Sequence, residues 1–188
     1  MRYLIILALI LTGCSSGRGG GDSTQVTESG RRVIDPTLFI LGDSLCVPEW
    51  SWANTLDYDK NVMCHGGWRA VQEEYVDIAL SFEADIFINA LGVNDAVWIH
   101  AGKETIEEFK AAYVRHNDQA EAKGMRVICL MPPLTEWPDI QPYVMQIHDV
   151  IQSVCSEAIH STPSDYEDGA HYTQDGQDLN RQIIESAI

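Results

Sequence analysis

The sequence has few basic residues, and its apolar runs are short. Its 188 residues include 12 Lys and Arg against 28 Asp and Glu, which gives a formal net charge of -16 at pH 7. Because such a surface repels phosphates and anionic lipid head groups, we expect no nucleic-acid partner. The apolar run at residues 4–11 is shorter than the roughly 20 residues that a membrane-spanning helix needs. The composition therefore favours neither a nucleic-acid-binding protein nor a membrane span in this run.

The cysteines lack the spacing of a metal site. No Cys-x-x-Cys pair occurs and no Cys/His pair has the spacing of metal ligands, so we expect neither a metal nor another cofactor. Cys46, Cys64, Cys129 and Cys155 belong to the predicted folded domain, where four thiols allow three full pairings. We favour disulfides between Cys46 and Cys64, which follow adjacent predicted strands, and between Cys129 and Cys155. Four buried reduced thiols are the alternative, because free cysteine packs as a small hydrophobe.

The front of the chain predicts an exported, lipid-anchored protein. Arg2 precedes the apolar run at residues 4–11, an arrangement typical of a signal peptide. The residues Leu-Thr-Gly-Cys at 11–14 resemble the lipobox of bacterial lipoproteins. That resemblance implies removal of residues 1–13 and multiple acylation of Cys14, which would anchor the protein firmly in a membrane. An ordinary cleaved signal followed by an incidental cysteine is the alternative.

The segment after the signal predicts a tether at the cell envelope. Residues 14–30 are rich in Gly, Ser and Thr and have no apolar periodicity, as is typical of a flexible linker. The folded domain is expected over residues 31–188. Ser15 and Ser16 replace the aspartate that, in enterobacterial lipoproteins, favours retention in the inner membrane. We therefore expect an outer-membrane anchor, with the domain facing the periplasm or the cell surface.

Alternating apolar and amphipathic segments predict one α/β domain, since the chain is long enough for a single core. Strands are predicted at residues 38–41, 62–64, 85–92 and 125–131, with residues 158–162 as the candidate for a fifth. Helices are predicted at 68–82, at 104–123 with Gly124 as its left-handed cap, at 139–159 and from Thr173 through Ile184, with a short helix within 47–59. Crossover connections of this length favour a mainly parallel sheet of four to five strands that helices cover on both faces.

Chemically useful residues follow the predicted strands. The first strand stops at Gly-Asp-Ser (42–44), the second at His-Gly-Gly (65–67) and the third at Gly-Val-Asn-Asp (92–95), while Asp-Gly-Ala-His (168–171) precedes the last helix. Open α/β sheets bind ligands at the carboxyl ends of their strands. A serine hydroxyl becomes nucleophilic only beside a base. The sequence therefore predicts a site to which several strand ends contribute.

This ordered set resembles the SGNH hydrolases, also called the GDSL esterase/lipase family, over residues 33–188. The first block of that family is matched by Gly-Asp-Ser-Leu at 42–45, the third by residues 92–95 and the fifth by residues 168–171, which a Thr-x-x-Gly helix start follows at 173–176. The lone glycine of the second block is matched by Gly67, with Gly66 as the alternative. The Gly-x-Ser-x-Gly motif of α/β-hydrolases is absent.

By this resemblance, Ser44 is the nucleophile, His171 is the general base and then acid, and Asp168 orients the imidazole. An aspartate three residues before a histidine can reach back to its second ring nitrogen and fix its tautomer. Asp165 is the alternative for this role. The other histidines have no acid partner at matching spacing and are expected on the surface or in packing: His65, His100, His116, His148 and His160.

The same resemblance implies an oxyanion hole built from the backbone N–H groups of Ser44 and Gly67 and the side-chain amide of Asn94. Glycine lets a backbone approach the substrate closely, and asparagine is an uncharged donor at every pH. The neighbouring carboxylates, Asp43 and Asp95, are expected to hold turns by accepting backbone N–H groups.

All five tryptophans, Trp50, Trp52, Trp68, Trp98 and Trp137, lie just downstream of a predicted strand. They either line a cleft for a sugar ring or acyl chain or pack long loops. We take Trp68, Arg69 and Trp98 as candidate substrate contacts; capping of a neighbouring carbonyl is the alternative for Arg69.

The resemblance implies a flavodoxin-like three-layer α/β/α fold and a metal-free serine esterase that works through an acyl-enzyme. We expect a monomer. A short acyl group, such as acetyl on a glycan or a small molecule, is the expected substrate. A lysophospholipase or thioesterase, an acyltransferase on the same scaffold, and a catalytically inactive envelope binding lipoprotein are the alternatives.

Overall fold

The computed structural model describes residues 25–26, 32–33, 35–72, 74, 77, 81–161 and 166–188. The predicted signal peptide, Cys14 and most of the predicted tether lie outside these residues. A first unit, residues 1–34, contains two short antiparallel strands, Gln25–Val26 and Arg32–Val33, so regular structure occurs within the segment predicted as a tether. A second compact unit spans residues 35–188, whereas the predicted domain boundary stood at residue 31.

A five-stranded parallel sheet forms the centre of this second unit. Its strands are β1 (Leu38–Gly42), β2 (Lys60–Cys64), β3 (Ile86–Ala90), β4 (Arg126–Met131) and β5 (Ala158–His160). All neighbouring pairs are parallel, in the order β2-β1-β3-β4-β5. This is the flavodoxin-like order, so the predicted fold class and its fifth strand are confirmed. The winding direction reverses between β1 and β3, the position at which such sheets bind ligands.

The described helices beside the sheet are α1 (Trp52–Thr55), α2 (Val93–His100), α3 (Ile106–Ala122), α4 (Gln141–Val154) and α5 (Gln174–Glu185). Helix α3 begins with a capping box between Thr105 and Glu108, and Gly124 follows its end at a φ of 83°. Thr173 caps α5 by accepting the backbone N–H of Gly176. Helices α1, α3 and α5 therefore confirm their predictions.

Two predicted helices have different bounds in the structure, and one observed helix was not predicted. Helix α4 ends at Val154 and not at residue 159, because Ala158 is drawn into β5, where it pairs with Cys129 of β4. The predicted helix 68–82 starts too early: residues 68–72 form turn and coil, whereas Glu74 and Asp77 are helical. The backbone of residues 68–70 is instead engaged by side chains of α2, a helix that the sequence did not predict.

The core lies on both faces of the sheet, as strand alternation requires. Phe39, Leu41 and Phe87 pack on one face against α3 and α4, for example against Phe109 and Ile147. The alternate strand residues and the two outer helices form the second cluster, which includes Leu38, Ile40, Ile88, Trp52 and Ile184. This confirms the three-layer arrangement. Within the described part of the chain, no helix is long and apolar enough to cross a bilayer.

Two disulfides are present, and both predicted pairings are confirmed. Cys46 is bonded to Cys64 with a Cα–Cα distance of 5.8 Å, and Cys129 is bonded to Cys155 at 6.4 Å. The first bond ties the turn after β1 to the end of β2. The second joins β4 to the residue that follows α4.

Candidate active site

The turn that follows β1 presents Ser44. Asp43 caps a single turn of 3-10 helix, Ser44–Cys46, by accepting the backbone N–H of Leu45 at 3.0 Å. This is the turn-holding role predicted for Asp43. Gly42 precedes it, and a Cβ at this position would lie 2.3 Å from the Sγ of Cys46. The disulfide thus passes so close to the strand end that only glycine fits there.

The structure brings the three predicted triad residues into one hydrogen-bonded line. His171 Nε2 lies 2.9 Å from Ser44 Oγ, and His171 Nδ1 lies 2.7 Å from Asp168 Oδ2. The backbone N–H of His171, and then its imidazole, lower the pKa of Asp168 to about 2. Asp168 is therefore an anion near neutral pH, and it can hold the tautomer of His171 that accepts from Ser44. Asp165, the alternative for this role, lies outside the described residues.

The loop that follows β4 is hydrogen-bonded to the loop that carries Asp168 and His171. Trp137 Nε1 donates to the carbonyl oxygen of Asp168 at 3.2 Å, and the backbone N–H of Glu136 donates to Gly169 at 2.7 Å. Gly169 has a φ of 90°, and a Cβ there would lie 2.9 Å from the Trp137 ring nitrogen. The sequence placed Trp137 near the catalytic edge but carried no signal for its contact with Asp168.

The predicted oxyanion-hole residues Ser44, Gly67 and Asn94 follow strands β1, β2 and β3, which lie next to one another at the switch point of the sheet. Asn94 is the second residue of α2, and its amide Nδ2 donates to the carbonyl oxygen of Trp68 at 3.1 Å. Residues 65–68 form a turn. The backbone N–H of Trp68 donates to the carbonyl oxygen of His65 at 3.3 Å, and Gly67 has a φ of 82°. That dihedral is typical of glycine in the third position of a type II turn.

The two candidate glycines differ in their surroundings. A Cβ on Gly66 would lie 4.0 Å from Cβ of Ser44, whereas a Cβ on Gly67 would meet no described atom within 4 Å. Gly66 therefore lies beside Ser44, and Gly67 supplies the backbone conformation of this turn.

The two buried carboxylates near the site have unequal roles. Asp43 is fully buried, and loss of solvation raises its pKa to about 7, partly offset by the Leu45 N–H and by the charge of His171. Asp95 also accepts a backbone N–H group, as predicted, and the donor lies in another loop. Its Oδ1 accepts the N–H of Ala70 at 2.8 Å and so fastens the loop that carries the glycines to α2.

The candidate substrate contacts are largely engaged within the protein. Arg69 forms an ion pair with Glu104 at 2.9 Å, and its guanidinium carbon lies 3.8 Å from the centre of the Trp98 ring. The ring of Trp68 stacks on His65 with centroids 5.3 Å apart. Trp98 remains 37% exposed, although Lys103 also lies over its ring, 5.0 Å from the ring centre.

The remaining histidines carry no sign of chemistry. His116 is buried, and loss of solvation lowers its pKa to about 4, so it packs as a neutral ring. His148 bonds to the carbonyl oxygen of Pro132 at 2.7 Å. Among the described residues, no group of three or more His, Cys, Asp or Glu side chains has the geometry to hold a metal ion.

No protein-family model matches the chain, and no curated protein sequence matches it. Solved structures do. An acetyl xylan esterase superposes with a TM-score of 0.65 at 17% identity, over 81% of this chain and 99% of the esterase. A psychrotrophic esterase from Pseudoalteromonas, inhibited by monoethylphosphonate, gives 0.63 at 15% identity over 81% and 96%.

A GDSL-like lipase from Bacteroides thetaiotaomicron gives a TM-score of 0.58 at 16% identity, over 80% of this chain and 86% of the lipase. At such identities a likeness establishes the fold. The chain therefore has the α/β fold of the SGNH hydrolases, with their parallel sheet and flanking helices.

Proposed function

We propose that the protein is a serine esterase that hydrolyses carboxylic esters through an acyl-enzyme on Ser44. The observation that carries this proposal is the hydrogen-bonded line from Ser44 Oγ through the His171 ring to Asp168. His171 accepts the hydroxyl proton as Ser44 attacks the ester carbonyl, and it returns that proton to the departing alcohol. Water then attacks the acyl-enzyme with His171 again as base, which releases the acid.

The developing oxyanion needs two or three fixed donors, and loss of one such donor typically slows catalysis by about 10² to 10³. One amide hydrogen of Asn94 is given to Trp68, which leaves the second for the oxyanion. The backbone N–H of Ser44 and one from the Gly66–Gly67 turn complete the proposed set. The bond to Trp68 also fixes the rotamer of Asn94 before substrate arrives.

A short acyl group, most simply acetyl on a glycan or a small molecule, is the substrate we propose. Trp50 and Trp137 are both 38% exposed and offer ring surface on which a sugar can stack. The fold likeness to an acetyl xylan esterase is consistent with this substrate class.

The test compares turnover of p-nitrophenyl esters of increasing chain length and of acetylated glycans by the full-length protein, with Ser44→Ala as control. We expect kcat/KM to be highest for acetyl esters and the control to be inactive. Activity confined to long chains would instead support the lysophospholipase or thioesterase alternative. Transfer of acyl groups to an added sugar would support a transferase. Failure of Ser44 to react with a fluorophosphonate would support the inactive binding lipoprotein.

We also propose that Cys14 is lipidated and that the domain is held at the outer membrane of a bacterial envelope. The support is the lipobox-like sequence at residues 11–14 and the signal-like run before it. Labelling with radioactive palmitate in cells should mark the wild type and not Cys14→Ala. Equal labelling of both would disprove this assignment.

A further inference from the structure

Two carboxyl groups beside the proposed oxyanion loop each have one oxygen without a donor. Asp95 is fully buried; its Oδ1 accepts the N–H of Ala70, and its Oδ2 has no donor among the described residues. Glu104 is 6% exposed; its Oε2 binds Arg69, and its Oε1 likewise has no donor in the described part of the chain. A buried polar atom without a partner carries a substantial energetic cost. Two such oxygens on adjacent carboxyl groups need a common explanation.

We propose that Asp95 and Glu104 share one proton and that this pair is a positioning clamp for the loop that bears the oxyanion donors. An ionised carboxylate only accepts hydrogen bonds, so two facing carboxylates repel each other, whereas one proton between them makes an O–H···O⁻ bond. That single proton satisfies both orphan oxygens.

The electrostatics agree with this arrangement. Burial, then the charge and the hydrogen bond of Glu104, raise the pKa of Asp95 well above its usual value. Burial also raises the pKa of Glu104, against the lowering effects of Asp95 and Arg69. The proton therefore resides mainly on Asp95, and Glu104 keeps the charge that pairs with Arg69.

The pair holds two of three consecutive loop residues, and Asn94 holds the third. Trp68 is held through its carbonyl by Asn94, Arg69 is held by Glu104, and Ala70 is held by Asp95. These residues directly follow the Gly66–Gly67 turn. This positioning role rests on the proposed esterase function, whereas the shared proton does not depend on it.

Several other charged or titratable groups face the pair. Arg69 comes from the loop, Asp43 from the turn after β1, and Glu108 and Tyr113 from α3. Asp43 and Glu108 are acidic and favour retention of the proton, and Arg69 opposes them. Loss of the proton at alkaline pH places a second negative charge in a buried site, so we expect the loop to loosen as the pH rises.

The test uses Glu104→Gln in the full-length protein, with Glu107→Gln, an exposed change in the first turn of α3, as the matched control. The new side-chain amide at position 104 donates to Asp95 without a shared proton. The infrared carboxylic-acid band at neutral pH should therefore fall by one carboxyl in Glu104→Gln and stay unchanged in Glu107→Gln. Asp43 contributes equally to both spectra.

A second readout is the pH dependence of unfolding in urea. Above the usual carboxyl pH range, the pair binds one more proton in the folded state than in the unfolded chain. This contribution makes the unfolding equilibrium constant of the wild type rise by up to about tenfold per pH unit. Glu104→Gln should lack this contribution, and its kcat should persist to higher pH than that of the control. If Glu104→Gln does not fold, Asp95→Asn is measured with the same infrared and unfolding expectations. An unchanged acid band and an unchanged pH slope would overturn the shared proton, even if the protein proved to have no esterase activity.

Discussion

His171 Nε2 lies 2.9 Å from Ser44 Oγ although the two residues are 127 positions apart in the chain. If the two act as one unit, their removal should not be additive. We expect Ser44→Ala and His171→Ala each to lower kcat for an acetyl ester by about 10³ or more, and the double variant to lose no more than the worse single variant. Steady-state kinetics of the three variants checks this. Losses that multiply in the double variant would show independent roles.

Asp43 should make the stability fall as the pH rises. Its pKa is raised to about 7, so the folded state keeps a proton that the unfolded chain has released. The stabilisation is complete below about pH 4 and is lost as the pH rises through about 7. Asp43→Asn should flatten this part of the curve in urea unfolding between pH 4 and 8. Asp59→Asn, a change at an exposed position, serves as control and should keep the wild-type slope.

The two glycines of the loop after β2 should respond differently to alanine. Gly66→Ala places a methyl group beside Ser44, so kcat/KM should fall while stability changes little. Gly67→Ala places a side chain at a φ of 82° and should cost about 1 to 2 kcal/mol of unfolding free energy. Urea unfolding and ester kinetics on both variants separate the two effects. Equal stability losses would contradict the distinction.

Trp137 should support catalysis without touching the reacting atoms. Trp137→Phe keeps most of the ring and removes the N–H that binds the Asp168 carbonyl. A lost hydrogen bond is worth about 1 kcal/mol, so kcat should fall about fivefold with KM nearly unchanged. Trp50→Phe, at a tryptophan of similar exposure, is the matched comparison. A change in KM alone would assign Trp137 to substrate binding.

The sheet and the triad could be predicted because their signals are local in the sequence. Apolar runs that stop at glycine mark the strand ends, and Asp168 reaches His171 within one turn. The contacts that shape the oxyanion loop could not be predicted, since they depend on which distant side chain takes a backbone group. Asp95 bonds to Ala70, and Asn94 bonds to Trp68, so the apolar spacing there does not produce a helix. Glu104 lies in the connection between α2 and α3, and no spacing in the sequence marks its approach to Asp95.

The Cys46–Cys64 disulfide explains why the Gly-Asp-Ser motif of this chain has glycine at position 42. Its sulfur atoms occupy the space that any side chain at position 42 would need. The disulfide and the absence of a side chain at Gly42 thus require each other at the start of the turn that carries Ser44. Since disulfides persist in oxidising surroundings, the sulfur atoms pack against Gly42 in this way only in a chain that has reached such a compartment. Through Gly42, redox conditions therefore affect the position of the Ser44 hydroxyl.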